Sequence, residues 1–474
     1  MLRFVAHILP TLCWLCFAGL ACVACSDHGD PSTPDEEEWM TKNGTYLQLT
    51  LYTQTRTGHN SRGPQGDEDG DYRLGAFENE YKARNATILL YADAAGINGD
   101  ANTTIDYALY APTLTSTASS TNVTYKTDIL HYSRPLKPGI YHVIVIVNAG
   151  DRTDLEGKKL GDVRDERMGV PYLQSDPNNP ATAHSFVMSN EKDATIDLTG
   201  PGGVQNVKTV KVDVERLAAR IDFSPGVSYD IPGSYYGGKM LENKEINGTT
   251  YPVCYEYQVL QEGTTNTNGD YFYLTSVQPI NLWTNKTYLI KRVSDIKWAD
   301  ENHLIYLGDE TTNALGEASR YVLSPYFFQR NAVNAKTFRN NSYTDGTASA
   351  PKKENELELT DPDDTKLKYY ILTYARENTI SYNAPVASYA TALRLKGFYK
   401  KKTGTDTYTY TEKTYTYYIR HADPNNTNAE AVPMKYGIVR NNVYRISINR
   451  VNSLGVMVIE TKDWITKELP PIYM

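Results

Sequence analysis

Residues 45–75 read TYLQLTLYTQTRTGHNSRGPQGDEDGDYRLG. The first eight or so alternate: Leu47, Leu49 and Leu51 fall on one side, and Tyr46, Gln48, Thr50 and Tyr52 on the other. That period of two marks a strand with one buried face. The pattern then gives way to Gly, Asn, Ser, Pro and acid, a composition that cannot pack, with Arg56 and Arg62 near its start. A core strand thus runs directly into a soft loop offering basic cleavage points.

The same alternation fills the rest of the chain. NATILLYAD (85–93), YHVIVIVNAG (141–150), HSFVMSN (184–190), YFYLTSVQPINLW (271–283), RYVLSPYFFQ (320–329), KLKYYILTYAR (366–376) and TALRLKGFYK (391–400) all read as strands. DTYTYTEKTYTYYIRHAD (406–423) alternates Thr with Tyr about Glu412-Lys413, as either a hairpin or one long strand with a wet face. The acidic and basic stretch PKKENELELTDPDDTKLK (351–368) reads as a loop, and DLEGKKLGDVRDERM (154–168) as a short, Gly-interrupted helix. In NVKTVKVDVERLAARIDFSPG (206–226) two strands follow with a slight break at Glu215-Arg216, and the domain boundary is expected there. Tyr numbers 38 against 10 Phe and 5 Trp, a bias suited to half-buried antiparallel sheets. With 474 residues, two domains fit better than one. The expected fold is all-β: two antiparallel β-sandwiches in tandem, with few short helices.

Function classes fall away by composition and motif. A net charge of −8 without a dense basic cluster speaks against nucleic acid. No nucleophile elbow, zinc-helix motif, phosphate loop or dinucleotide fingerprint is present, so neither a catalytic residue nor a cofactor is expected. Residues 67–78 place Asp67, Asp69, Asp71 and Glu78 at calcium-loop positions, but Tyr72 stands where the sharp turn demands Gly. The eight His are scattered, and no metal site is expected. Of five Cys only Cys254 lies beyond residue 25, so no disulfide can form within the folded part, and Cys254 reads as a buried filler.

Residues 1–24 form an export signal, one Arg followed by an apolar run ending in small residues. The end of that run resembles a bacterial lipobox, with Cys25 as the lipidated residue and Cys22 as the alternative. Residues 26–43 hold six acids and two prolines, a solvated tether resembling those of surface-exported lipoproteins. At the other end, Val456, Val458 and Ile459 followed by Trp464 open an extended apolar tail after Gly455. At ~3.3 Å per residue a dozen such residues span a domain.

Several short motifs together resemble the fimbrillins of type V pili. They are Arg440-Asn441-Asn442-x-Tyr444-Arg445-Ile446 with Leu454-Gly455, YYIRHAD (417–423), VNAG, LEGKKLGDV and FVMSN in the first half, and VERLAARIDF (214–223). The similarity is strongest to the stalk subunit of short fimbriae. It implies two transthyretin-like sandwiches and export as an outer-membrane lipoprotein. An Arg-specific or trypsin-like protease would then cut after Arg56, with Arg62 as the second candidate. The resemblance further implies that the lost strand bearing Leu47, Leu49 and Leu51 uncovers a sheet edge. The tail of another copy, through Val456, Val458, Ile459 and Trp464, would fill it. The partners implied are further copies of the chain, anchor and tip subunits, the protease, and the outer membrane before processing. The organisation expected is signal 1–24, propeptide 25–56, sandwiches 57–214 and 215–455, and donor tail 456–474. A monomeric surface lipoprotein that binds glycans or host ligands through its Tyr, or a tip or anchor subunit, is the alternative.

Overall fold

The computed structural model describes residues 44–53, 82–118, 123–132, 136–168, 185–190, 193–232, 237–261, 266, 268–282, 287–290, 336–339, 342–343, 352–353, 358–360, 367–378, 390–420, 437–452 and 457–462. Eleven strands come from the first half: β1 (Tyr46–Thr53), β2 (Ala86–Tyr91), β3 (Tyr107–Ala111), β4 (Leu114–Ala118), β5 (Val123–Thr127), β6 (Leu130–His131), β7 (Ile140–Val147), β8 (Arg167–Met168), β9 (Met188–Asn190), β10 (Thr195–Asp197) and β11 (Lys208–Arg216). The second half opens with β12 (Ala219–Ser224), β13 (Lys239–Ile246), β14 (Thr249–Leu260), β15 (Tyr271–Ile280) and β16 (Thr287–Tyr288). It continues through β17 (Lys336–Arg339), β18 (Ser342–Tyr343), β19 (Lys352–Lys353), β20 (Glu358–Thr360) and β21 (Lys368–Ala375) to β22 (Ala392–Gly404), β23 (Thr407–Tyr418), β24 (Val443–Asn452) and β25 (Met457–Lys462). The molecule is all-β. The helix expected over 154–168 shrinks to a 3-10 turn at Thr153–Leu155 and α1 (Leu160–Asp165), because Gly157, at φ 76°, breaks the run between them.

The first sheet has ten strands in the order β3-β2-β7-β9-β11-β1-β5-β4, with β10 on β7 and β6 on β1. All ten turn apolar side chains into a single cluster that includes Leu47, Leu49, Leu51, Leu90, Val145 and Val212. β2 is buried at every residue, since its alternate face (Leu89, Tyr91) packs into a second cluster with Ile144 and Ile146 of β7 and Leu160 and Val163 of α1. A strand covered on both sides reads as an unbroken apolar run, which is what ATILLY is.

The second sheet runs β19-β18-β17-β15-β14-β24-β12-β21-β20, with β13 on β14, β22 between β15 and β23, and β25 on β24. Ile221, Phe223, Tyr257, Phe272, Leu372, Leu393 and Ile446 lie in its core. β11 belongs to the first sheet and β12 to the second, so the break after Glu215-Arg216 is where the chain changes sheets. The Thr/Tyr repeat is one strand, β23, paired along its length with β22 rather than folded on itself. The stretch 351–368, read as a loop, contributes β19 and β20; charged side chains suit short pairings of this kind. The expected strand at 320–329 lies outside the described residues.

The two sheets meet through side chains. Leu217, Ala218, Leu289 and Ile290 join the first half's second cluster, and Phe186 meets Tyr374 edge-on at 4.9 Å. Cys254 is fully buried against Ile246 and Tyr273, and burial, then the charge of Glu256, pushes its thiol up to about 12. A thiol-labelling reagent at pH 8 should leave Cys254 untouched in the folded protein and modify it on unfolding in urea; rapid labelling without denaturant would contradict this packing.

Candidate functional site

β1 lies inside the first sheet. Its register with β11 is parallel, Leu47 opposite Lys208, Leu49 opposite Val210 and Leu51 opposite Val212. On its other side it is antiparallel to β5, with Leu51 opposite Tyr125, and to β6, with Leu47 opposite Leu130. The strand therefore joins two parts of the sheet of opposite polarity. The single sheet edge expected beneath it is in fact two edges, because β11 comes from more than 150 residues away in the chain while β5 belongs to the local hairpin.

The leucines are almost wholly buried, Leu49 and Leu51 at 0% exposure. Polar groups fix the register. The backbone N–H of Leu49 donates to Thr127 Oγ1 at 3.0 Å inside the protein, and Gln48 Nε2 donates to the Thr127 carbonyl at 3.2 Å. The strand's entry is tied by Gly203 N–H donating to the Gly44 carbonyl at 2.8 Å. Tyr46 packs on His131 at 5.0 Å, and partial desolvation lowers that imidazole's pKa from its ordinary value.

Of the other residues singled out in the sequence, Cys25, Cys22, Arg56, Arg62, Val456, Trp464 and the acid loop 67–78 lie outside the described residues. Val458 and Ile459 fall in β25, which pairs antiparallel with β24 of its own chain, Ile459 opposite Ile448 and Val458 opposite Arg450. The slot and the tail are thus on different sheets. Among the described residues no group of His, Cys, Asp and Glu is arranged to hold a metal, and no helix is long and apolar enough to cross a membrane.

A buried polar cluster joins the two sheets. Arg440 is completely enclosed. Its Nη2 meets Glu377 Oε2 at 2.7 Å and donates to the Tyr288 carbonyl at 2.7 Å, while Nη1 donates to the Leu289 carbonyl at 3.2 Å and lies 3.8 Å from Glu215 Oε1. Leu289 also accepts from Ser189 Oγ of β9 at 2.6 Å. Asn441 adopts φ 62°, a left-handed turn that Asn tolerates, and its Oδ1 accepts from Arg216 Nη1 at 2.6 Å. Its backbone N–H donates to the Ala218 carbonyl, and Asn442 accepts from Arg220 N–H, both at 2.7 Å. The Arg-Asn-Asn motif is therefore a corner that ties the end of β11, the start of β12 and the entry to β24. Glu215 and Arg216 stood out in the sequence as a break, but Glu377 and Thr127 gave no local signal; each acts through a partner distant in sequence.

Residues 406–470 match the family described as major fimbrial subunit protein type IV, fimbrillin, C-terminal. This part of the chain, which includes the Arg-Asn-Asn corner, β24 and β25, is similar to the C-terminal region of fimbrillins. No curated protein matches the sequence. Among solved structures, a candidate cell adhesion protein from Parabacteroides distasonis aligns over 89% of this chain and 96% of its own, at 13% identity and a TM-score of 0.45. A fimbrial assembly protein from the same organism aligns over 88% and 95%, at 12% identity and a TM-score of 0.32. The fimbrial anchor protein Mfa2 from Porphyromonas gingivalis aligns over 90% and 100%, at 7% identity and a TM-score of 0.27.

Three substitutions measure these sites. Leu49→Ala should lower unfolding free energy by about 2–5 kcal/mol through the cavity it leaves, read by urea denaturation. Arg440→Ala removes the guanidinium beside two buried carboxylates and should cost about 3–5 kcal/mol. Arg440→Lys should recover little of that stability, because one ammonium cannot span Glu377 and both carbonyls; full recovery would show that charge alone matters.

Proposed function

We propose that the chain is a structural subunit of a cell-surface fimbria, assembled by exchange of the β1 strand. The observation that carries the reading is the placement of Leu47, Leu49 and Leu51 between β11 and β5, directly upstream of Arg56. Burying three leucines contributes roughly 5–9 kcal/mol beyond the ladder hydrogen bonds. While β1 is covalently attached, that contribution keeps it in place. A cut after Arg56 leaves residues 25–56 held by non-covalent contacts alone, and their departure takes the lipid on Cys25 with them.

The vacated slot presents two strand edges and an apolar floor, the features that favour an added strand. The tail from Val456, with Val458, Ile459 and Trp464, supplies apolar residues for it once Met457–Lys462 gives up its pairing with β24. One copy's tail in the next copy's slot is a heterologous contact that does not close, so repetition produces a filament. In this reading residues 1–24 are the signal, 25–56 the propeptide, 57–214 and 215–455 the two sandwiches, and 456–474 the donor tail. The precursor sits on the outer membrane, the processed form in the fimbrium beside anchor and tip subunits, and adhesion is a property of the assembled fibre. The presence of both a cleavable loop and an apolar tail favours the stalk.

Limited digestion with trypsin should give a mature form beginning at Thr57, followed by ladders that withstand SDS without boiling. The Arg56→Ala/Arg62→Ala chain should fold yet stay monomeric, and a chain lacking 456–474 should be nicked but not polymerise. A discrete monomer after complete nicking would favour a surface lipoprotein that works alone.

A further inference from the structure

The outer face of the second sheet carries a basic stripe that the assembly reading does not use. In β22, Leu393 and Leu395 point into the core, so alternation sends Arg394, Lys396, Phe398, Lys400 and Lys402 to the opposite face. Successive members of such a row stand about 7 Å apart. Lys396 and Lys402 are exposed, and Arg394 and Lys400 are half-buried. Tyrosines flank the row on both neighbouring strands. Lys400 is opposite Tyr271 of β15 and Tyr410 of β23, and Lys402 is opposite Tyr408.

The contacts fix these groups. Lys400 Nζ lies 3.9 Å from the centre of the Tyr408 ring and 5.3 Å from that of Tyr271. Lys244 Nζ lies 5.3 Å from the centre of Tyr273. Burial, and next the charge of Lys244, lowers the Lys400 pKa, with Glu256 as the opposing carboxylate. Against these cations stand Glu256, whose Oε1 accepts from the Tyr229 hydroxyl at 2.6 Å, and Glu412 of β23, opposite Phe398 within the row, so the face keeps an excess of positive charge.

We propose that this stripe is a binding site for an acidic polysaccharide, with Lys396, Lys400 and Lys402 meeting its carboxylate or sulfate groups and Tyr408 and Tyr410 meeting its sugar rings and hydroxyls. Charge complementarity argues for it, because an extended row of cations suits an extended polyanion locally, against the chain's overall net charge of −8. Lys400 covers one face of Tyr408 and one of Tyr271, which takes that face from base stacking, while the ring edges and hydroxyls remain as contacts for a hydroxyl-rich ligand.

The test uses unprocessed, monomeric protein, so it is separate from polymerisation. Binding to labelled hyaluronan and to heparin is measured by fluorescence anisotropy at about 50 and 200 mM salt, with neutral dextran, poly-glutamate and single-stranded DNA as comparators. Salt-sensitive binding to either acidic glycan, lost on the order of tenfold in Lys396→Gln/Lys400→Gln/Lys402→Gln, is expected. The exposed pair Lys396→Gln/Lys402→Gln gives the same reading if the triple variant unfolds. Tyr408→Ala/Tyr410→Ala should weaken binding to the glycan more than to poly-glutamate. The proposal is overturned by absence of acidic-glycan binding, by unchanged affinity in the lysine variants, by equal binding of dextran, or by poly-glutamate or DNA binding as tightly as the glycans.

Discussion

The insertion of β1 between β11 and β5 is the contact on which the first sheet depends. A strand on the margin of a sheet can leave at the cost of one ladder, whereas this one holds two ladders of opposite polarity and three buried leucines. Without it, the hairpin of β4 and β5 loses its only strand link to β11 among the described residues. The apolar interior then opens along a line rather than at a corner. A strand of similar pattern would restore both ladders together, which is the physical basis of the exchange we propose.

The Arg-Asn-Asn corner answers a different demand. A fully buried guanidinium is unfavourable unless geometry supplies acids and carbonyls around it, and here these come from the end of β11, from Glu377 after β21, and from the Tyr288-Leu289 backbone. Such a cluster adds little net stability over apolar packing, but it accepts only one arrangement of the segments that build it. Together with the apolar contacts of Leu289, Ile290 and Tyr374 it sets how the two sheets sit on each other. The same corner leads into β24 and therefore sets the base from which β25 departs.

Tyrosine abundance serves two purposes. Tyr257, Tyr369 and Tyr417 are among the largest fully buried side chains, while those on the outer face of β15 and β23 frame lysines. A residue with an apolar ring and a polar tip can fill a core and cover a wet face with equal ease. That versatility lets long strands such as β23 remain extended where one side is solvent.

The amino-acid order by itself determined the strand character of most of the chain, the inward leucines of β1, the change of sheets after Glu215-Arg216 and the buried position of Cys254. Each is written in local alternation or in a single residue's surroundings along the chain. It left open whether 406–423 was one strand or a hairpin, it marked the short helix within 154–168 but overran its ends, and it misjudged 351–368, where charges blur the period. Only the tertiary structure decided that β1 runs parallel to β11, that Thr127 and His131 frame its register, and that Arg440 finds Glu377. Those partners are separated by tens to more than a hundred residues, and no local pattern encodes which distant strand will pair with which.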